Sequence, residues 1–376
     1  MWITDNEMKN WKIISRLLAA VMVSFLSCGI SAGQEKISDG LEIDKRVHNF
    51  GDIMLGSGPV SCTFNIKNTG EKPAIIYNVS TTCGCTDVTW TKEPIRPGKT
   101  GTISVTYSND EGPYPFDKSV TVYLSDIKKP VILKLRGVSL NKKKPLNELY
   151  PISYGSFCLR ESVMKCGNLD QGGTKSESVM VANTSNSPIS VSFKDVSENV
   201  TFNISPNPIP AQSTAEMTFT VNADRELWGK NYYWATPVIN GKSYKNKEGD
   251  NRIGVWAFTR ENFSNISDSE RMNGPRPMFK ESTYTFGKIK KGTKVRAEFT
   301  FKNEGKQTLK IYKADSDATK WSCEDIPDVA AGKTTSFAVD LDTSDMPLGE
   351  ALVIVTLTTN SPLRPIVNLF ITGWIE

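Results

Sequence analysis

Two cysteines separated by one glycine, Cys83-Gly84-Cys85, are the strongest candidate for chemistry in this chain of 376 residues. Two thiols this close together can chelate a soft metal such as Cu(I), which favours thiolate ligands. They can instead form a disulfide across a very short loop, which would be easily reduced and therefore redox-active. The structural alternative is that both pack as small apolar side chains, or that one pairs with Cys62. Spacing alone leaves these alternatives open.

Histidine, the usual proton carrier of nucleophilic sites, occurs only once in the chain, as His48. Ser-His-Asp and Cys-His arrangements both need a histidine, and zinc enzymes usually need two or three as ligands. We interpret His48, which lies beside a predicted strand start, as structural. The sequence also offers no well-spaced carboxylate pair and no glycine-rich phosphate loop. We therefore expect no enzyme activity and no cofactor.

An aromatic cluster follows in the second half of the middle segment: Trp228, Tyr232, Tyr233, Trp234, Tyr244 and Trp256. Exposed aromatic side chains on a sheet bind sugar rings or protein partners, whereas buried ones fill the core, and we favour the core. On a strand, Tyr232 and Trp234 would share one face and Tyr233 the other, so at least one ring should be exposed. The ligand-binding candidates are Tyr232, Trp234 and Trp256.

Three further cysteines lie beyond the first hundred residues of the mature chain. Cys158 and Cys166 are eight positions apart, which predicts a local disulfide in an oxidising compartment, with two buried free thiols as the alternative. Cys323 has no obvious sequence partner, so we interpret it as a core residue.

The N-terminus is typical of a targeting segment. Basic residues precede an apolar run from Leu17 to Leu26, which is too short to span a bilayer as a stable helix. Residues 1–33 are therefore predicted to be a signal peptide. No second apolar run of spanning length exists, so we expect an exported protein, periplasmic or associated with the outer membrane, without a transmembrane helix in its mature form.

Two cleavage sites compete within this segment. The small residues 31–33 suit a signal peptidase. The sequence Leu26-Ser27-Cys28-Gly29 loosely resembles a bacterial lipobox, although Phe25 stands where that motif usually has leucine. Cys28 is thus either a lipidated anchor or part of the discarded signal.

One sequence pattern occurs three times along the rest of the chain. A glycine near the start of each copy, Gly51, Gly167 or Gly287, is followed 16 or 17 positions later by an asparagine. The asparagines, which open turns, are Asn68, Asn183 and Asn303. Apolar residues alternate with polar ones between these positions, as in a strand with one buried face.

Helical periodicity is nearly absent after residue 34, so the prediction is an all-β chain. We expect three tandem immunoglobulin-like antiparallel β-sandwich domains after the signal segment. Their predicted bounds are 41–140, 146–262 and 278–376. The cysteine pair belongs to the first domain and the aromatic cluster to the second.

Four motifs of the first copy resemble a known family: residues 48–53, residues 64–70, the Cys83-Gly84-Cys85 segment and residues 93–99. The family is domain-of-unknown-function family 1573, which is common in exported proteins of Gram-negative bacteria. Its modules resemble the immunoglobulin-like domains grouped with the ASH and major-sperm-protein folds. The resemblance is specific in the first copy, fair in the last and poor in the middle. The last copy has residues 315–318 in place of the cysteines, so a cysteine function would belong to the first domain.

Our leading hypothesis is a non-catalytic protein of the cell envelope that binds or scaffolds a protein or glycan. The alternatives are a redox or soft-metal protein acting through Cys83 and Cys85, and a carbohydrate-binding protein acting through the aromatic cluster. The formal net charge is +4, from 45 basic and 41 acidic residues, so nucleic acid is not an expected partner.

Overall fold

The computed structural model describes residues 35–38, 40–127, 129–223 and 227–376. The predicted signal peptide and Cys28 lie outside these ranges. The chain divides into two compact units, residues 1–143 and residues 144–376. The second and third copies of the repeat therefore share one unit. Within the described ranges, no helix has both the length and the apolar character needed to cross a membrane.

The first unit is a sandwich of two sheets. Its strands are β1 (Glu35–Ser38), β2 (Leu41–Ile43), β3 (Val47–Met54), β4 (Val60–Asn68), β5 (Ile76–Thr81), β6 (Thr86–Trp90), β7 (Thr100–Tyr107), β8 (Pro115–Leu124) and β9 (Val131–Leu140). The strand orders are β1-β2-β4-β7-β6 and β3-β9-β8-β5. The alternating apolar side chains of both sheets meet between them, where Phe64, Ile103, Val122 and Leu133 are fully buried.

The second copy repeats this architecture. It begins with α1 (Leu146–Leu149) and continues with β10 (Ile152–Tyr154), β11 (Phe157–Leu159), β12 (Val163–Asp170), β13 (Thr174–Asn183), β14 (Val191–Lys194), β15 (Val200–Ser205), β16 (Ser213–Asn222), β17 (Gly229–Ile239), β18 (Lys242–Ser243) and β19 (Ile253–Arg260). The sheets are β10-β11-β13-β16-β15 and β12-β19-β17-β14, with β18 paired to β17.

The third copy has the same strand order. It consists of α2 (Asp268–Asn273), β20 (Pro277–Phe279), β21 (Thr283–Ile289), β22 (Lys294–Asn303), β23 (Ile311–Ser316), β24 (Trp321–Cys323), β25 (Thr334–Asp342), a 3-10 turn (Thr343–Asp345), β26 (Gly349–Thr359) and β27 (Ile366–Ile375). Its sheets are β20-β22-β25-β24 and β21-β27-β26-β23. The all-β prediction is confirmed, and the sandwich order occurs three times.

Each copy also contains one parallel pair among its otherwise antiparallel strands. The pairs are β3 with β9, β12 with β19, and β21 with β27, because the last strand of each copy returns beside the strand that carries the repeated glycine. The register of each pair shifts where the repeated glycine lies. Gly51, Gly167 and Gly287 have φ values of 68°, 80° and 72°, a conformation that favours glycine. The repeated glycine is therefore a requirement of the bulge.

The repeated asparagine has an equally local explanation. Asn68, Asn183 and Asn303 are buried at the ends of equivalent strands. The Asn68 amide donates to the carbonyls of Lys72 and Ile95 at 2.8 and 2.7 Å. Asn183 and Asn303 make the corresponding bonds within their own copies. Each amide satisfies buried backbone oxygens that would otherwise lose their hydration without replacement.

The second and third copies contact each other through β17 and β23. The rings of Trp228 and Tyr312 stack with centroids 4.0 Å apart and planes 5° from parallel. The Tyr312 hydroxyl donates to Glu261 at 2.8 Å, and the Lys230 backbone N–H donates to the Asp315 carboxylate at 2.9 Å. These contacts fix the start of β17, the strand that carries Tyr232, Tyr233 and Trp234 of the aromatic cluster.

Candidate functional site

The aromatic residues of β17 divide between the two faces of their sheet. Tyr233 points into the sandwich and is 4% exposed, whereas Tyr232 is 56% exposed and Trp234 is 40% exposed. The strand alternation predicted this division. The favoured interpretation of the cluster as core is wrong for Tyr232 and Trp234, because both side chains lie on the outer side of this sheet, opposite to the buried Tyr233.

The neighbouring strand adds a third ring. Tyr232 is directly opposite Trp256 of β19, and directly opposite residues of antiparallel strands share a face. Trp234 is opposite Gly254, which is itself opposite Val163 of β12. Adjacent strands are about 4.8 Å apart and residues two positions apart are about 6.8 Å apart. Tyr232, Trp234 and Trp256 therefore form one patch, which we call the aromatic face.

Cationic side chains surround the aromatic face. The Lys165 ammonium lies 5.4 Å from the Trp256 ring centroid, and the Lys230 ammonium lies 5.3 Å from the centroids of both Trp256 and Tyr232. The Arg252 guanidinium lies 5.5 Å from the Trp234 centroid. Within the described part of the chain, none of these three cations forms an ion pair. The patch is therefore aromatic and positively charged.

Backbone contacts hold the aromatic face in place at both ends. At one end, the Lys230 carbonyl accepts a hydrogen bond from the Lys313 ammonium at 2.7 Å. At the other end, the Trp234 N–H donates to the Ser197 hydroxyl at 2.8 Å, and Ser197 donates back to the Trp234 carbonyl. A ligand would thus meet preorganised rings, which lowers the entropy cost of binding.

The Cys83-Gly84-Cys85 segment lies in the loop between β5 and β6, the edge strands of the two sheets of the first unit. The two sulfurs are joined in a disulfide. Both cysteines are half-buried, and each sulfur lies 3.6 Å from the buried Thr86 hydroxyl. Glu111 places a carboxylate close enough for all three ligand atoms to lie within 4.8 Å of one another, but it is paired with Lys118.

The other cysteines do not join this segment. Cys62 is a buried free thiol whose pKa is raised to about 11, chiefly by burial. The expected disulfide between Cys158 and Cys166 is absent, since both are free and buried. Cys158 lies on β11 in a small cluster with Tyr150, whereas Cys166 lies on β12 of the opposite sheet and enters the main core. Cys323 is free and half-buried beside the core of the third copy.

His48 packs between the side chains of Lys45 and Phe50. Its Nδ1 lies 3.0 Å from the Lys45 ammonium, and its ring meets the Phe50 ring edge-on at 4.5 Å. Burial, assisted by the Lys45 charge, lowers the pKa of His48 to about 4. The histidine therefore stays neutral well below the pH at which a free imidazole takes up a proton.

The cations of the aromatic face were missed by reasoning from the sequence. Lys230 could have been found, because it lies two positions before Tyr232 and so shares its face. Lys165 reaches the rings from β12, and Arg252 reaches them from the position directly before β19. Their placement depends on the pairing of β12 with β19 and of β19 with β17.

The repeated two-sheet sandwich defines this chain as an all-β protein built from immunoglobulin-like modules. The model of the family described as "Protein of unknown function (DUF1573)" matches residues 41–139 and 278–375, slightly more than half of the chain. The chain belongs to this family. The second copy, which carries the aromatic face, lies outside the matched segments. No curated protein matches the chain.

Two solved structures illustrate the likeness of the fold. A protein of unknown function from Porphyromonas gingivalis W83 is 13% identical over 58% of this chain and all of its own, with a TM-score of 0.47. An ASH/PapD-like domain of human CEP192 is 10% identical over 31% of this chain and 94% of its own, with a TM-score of 0.24. Similarity at this level carries no argument about function.

Proposed function

We propose that this protein is an exported, non-catalytic binding protein of the cell envelope and that its aromatic face binds a carbohydrate chain. The observation that carries the proposal is the exposure of Tyr232 and Trp234 beside Trp256 on a single sheet face. Large rings left in water on a monomer are costly unless a partner covers them. Their flat apolar surfaces suit the C–H faces of sugar rings.

The shape of the patch supports a chain as the ligand rather than a small molecule. The rings lie on the open outer surface of the sheet that consists of β12, β19, β17 and β14. Small-molecule sites are concave and enclose most of the ligand, whereas an open surface meets one side of a polymer. The single, structurally placed histidine supports a role without catalysis.

Binding of the full mature chain to a glycan array tests the proposal. We expect Trp234→Ala to weaken binding at least about tenfold, since an exposed ring of this kind dominates the contact. Tyr77→Ala is the matched control, because Tyr77 is a 61% exposed ring on the first unit, next to Tyr123 rather than a cation. A blank array for the wild type, or equal losses in both variants, would contradict the proposal. Thermal unfolding verifies that both variants are folded.

A second candidate function, thiol–disulfide exchange, is favoured by the disulfide between Cys83 and Cys85. An attacking dithiol would be oxidised to its own disulfide as the Cys83–Cys85 bond is reduced to two thiols. A side chain at Gly84 would meet no atom within 4 Å, so the approach to the loop is open. Alkylation with mass mapping after exposure to a thioredoxin-like dithiol tests this function. Cys62 should remain protected from alkylation throughout and serves as the internal control. If Cys83 and Cys85 also remain unalkylated after exposure to the dithiol, thiol–disulfide exchange is excluded.

A further inference from the structure

We infer that the carbohydrate bound by the aromatic face is acidic, a polysaccharide that carries carboxylate or sulfate groups. This inference rests on the proposed function and adds the chemical class of the ligand. Its basis is the set of three cations, Lys165, Lys230 and Arg252, beside the rings.

The first step of the argument is that these cations lack partners. Some basic side chains on the outer surfaces of the other two copies do have acidic partners. In the first copy, Asp117 pairs with both Lys134 and Arg136. In the third copy, Arg296 pairs with Asp340 and Glu324. Among the described residues, Lys165, Lys230 and Arg252 form no salt bridge, although the Asp315 and Asp250 carboxylates accept from the backbone N–H groups of Lys230 and Arg252.

The second step concerns the strength of those ring contacts. A cation held over an exposed aromatic ring is bound weakly, because water screens the attraction. A hydrogen bond from an ammonium or guanidinium group to a carboxylate or sulfate oxygen is stronger. An anionic group of the ligand can therefore draw Lys165, Lys230 or Arg252 away from the ring at little cost. The same movement uncovers the ring for a sugar.

The third step is the position of the cations relative to a stacked sugar. Lys165 and Lys230 reach the Trp256 ring from β12 and β17, the two strands that flank β19, and each ammonium lies between 5 and 6 Å from the ring centroid. Arg252 occupies the corresponding position beside Trp234. A sugar resting on either ring thus places its substituents within reach of a positive charge. Stacking alone does not distinguish acidic from neutral sugars, whereas these side chains do.

The number of cations favours a glycan over another polyanion. A nucleic acid carries one phosphate for every nucleotide, and its binding requires a dense basic stripe. Three cations on the aromatic face and a formal net charge of +4 do not amount to a dense basic stripe. Three separated charges fit a chain in which acidic groups are spaced by whole sugar rings.

The decisive experiment compares chains that differ only in charge, on the full mature protein. Polygalacturonate is measured against its methyl-esterified form, and dextran sulfate against dextran, so carboxylate and sulfate are separate arms. We expect at least one acidic chain to bind about tenfold or more tightly than its neutral partner, with an affinity that falls as salt rises. Equal affinity within both pairs would overturn the inference.

Two kinds of variant separate this inference from the proposed function. Lys165→Gln with Lys230→Gln should abolish the preference for the acidic chain, so that the acidic and neutral chains bind the variant with equal affinity. Trp234→Ala should weaken both. The Lys230 substitution spares the contact between copies, which uses the backbone of Lys230. Lys134→Gln on the first unit is the control.

The remaining outcomes are also decisive. If neutral and acidic chains bind alike and only Trp234→Ala weakens them, the glycan function stands and the acidic class is wrong. If a single-stranded oligothymidylate binds more tightly than every glycan, the inference is overturned in favour of a nucleic acid. If no chain binds, both proposals fail.

Discussion

The first and second copies contain equivalent sheets whose outer faces hold their cations in different ways. In the first copy, Asp117 on β8 accepts hydrogen bonds from Lys134 and Arg136 on β9, each at 3.0 Å. In the second copy, the equivalent strands β17 and β19 carry the aromatic face, with cations that have no acidic partner among the described residues. The first surface pairs cations with a carboxylate, whereas the second holds its cations over aromatic rings.

The inward sides of these two sheets both contribute buried apolar side chains to the core of their sandwich. Val120 and Val122 of β8 are fully buried, as are Ala235 and Val255 of the second copy. Folding therefore constrains one side of each strand and leaves the other side free to vary. A sandwich can acquire a binding surface on its outer face without any change in its core.

The largest effect should come from the part that the copies share. Asn68→Ala and Asn183→Ala should each lower the free energy of unfolding by about 2–4 kcal/mol, because buried carbonyls lose their donor. Denaturant unfolding measures this loss, with the exposed Asn78→Ala as control. If only one of the two substitutions lowered the free energy of unfolding, the two asparagines would not have equivalent structural roles.

Reduction of the Cys83–Cys85 disulfide should affect only the first unit. A loop of three residues loses little chain entropy when it is closed, so the expected destabilisation is about 1–2 kcal/mol. Unfolding curves with and without reductant measure it, and Cys83→Ser with Cys85→Ser serves as the control, since it should not respond to reductant. Weaker glycan binding after reduction would contradict the assignment of binding to the second copy.

Acid should likewise destabilise the first unit through His48. Its folded pKa of about 4 lies below the ordinary value of 6.5, so the unfolded chain takes up a proton first as the pH falls. The stabilisation is complete above pH 6.5 and is lost towards pH 4. Because the ring is only half-buried, we expect a loss on the order of 1 kcal/mol between pH 7 and pH 5. His48→Gln should remove this part of the pH dependence. An unchanged slope would show that other groups cause it.

The smallest effect on stability should come from Asp117→Asn. All three partners of this ion-pair network are substantially exposed, so the loss should stay below about 1 kcal/mol. The substitution removes the carboxylate partner of Lys134 on a face without the three rings. We expect no gain of glycan binding in the array experiment. A gain would show that unpaired cations are sufficient and that the aromatic side chains are dispensable.

The sequence predicted the parts of the fold that depend on local chemistry. Alternation in β4 and β7 predicted strands, and the Gly51 and Asn68 positions predicted the repeat, since a bulge needs a positive φ and a turn needs a buried amide. The sequence did not predict which rings of the aromatic cluster would be exposed. Tyr232, Tyr233 and Trp234 are all aromatic, so alternation offers no contrast between an inner and an outer face.

The sequence by itself determined an all-β chain in which one module occurs three times. Strand alternation and turn formation depend on residues that are only a few positions apart in the chain. Only the tertiary structure decided that Cys83 pairs with Cys85 while Cys62, Cys158 and Cys166 stay free. It also decided that the rings of β17 face outward among Lys165 and Arg252. These outcomes depend on which distant strands pair and in which register, and on which face the second sheet covers.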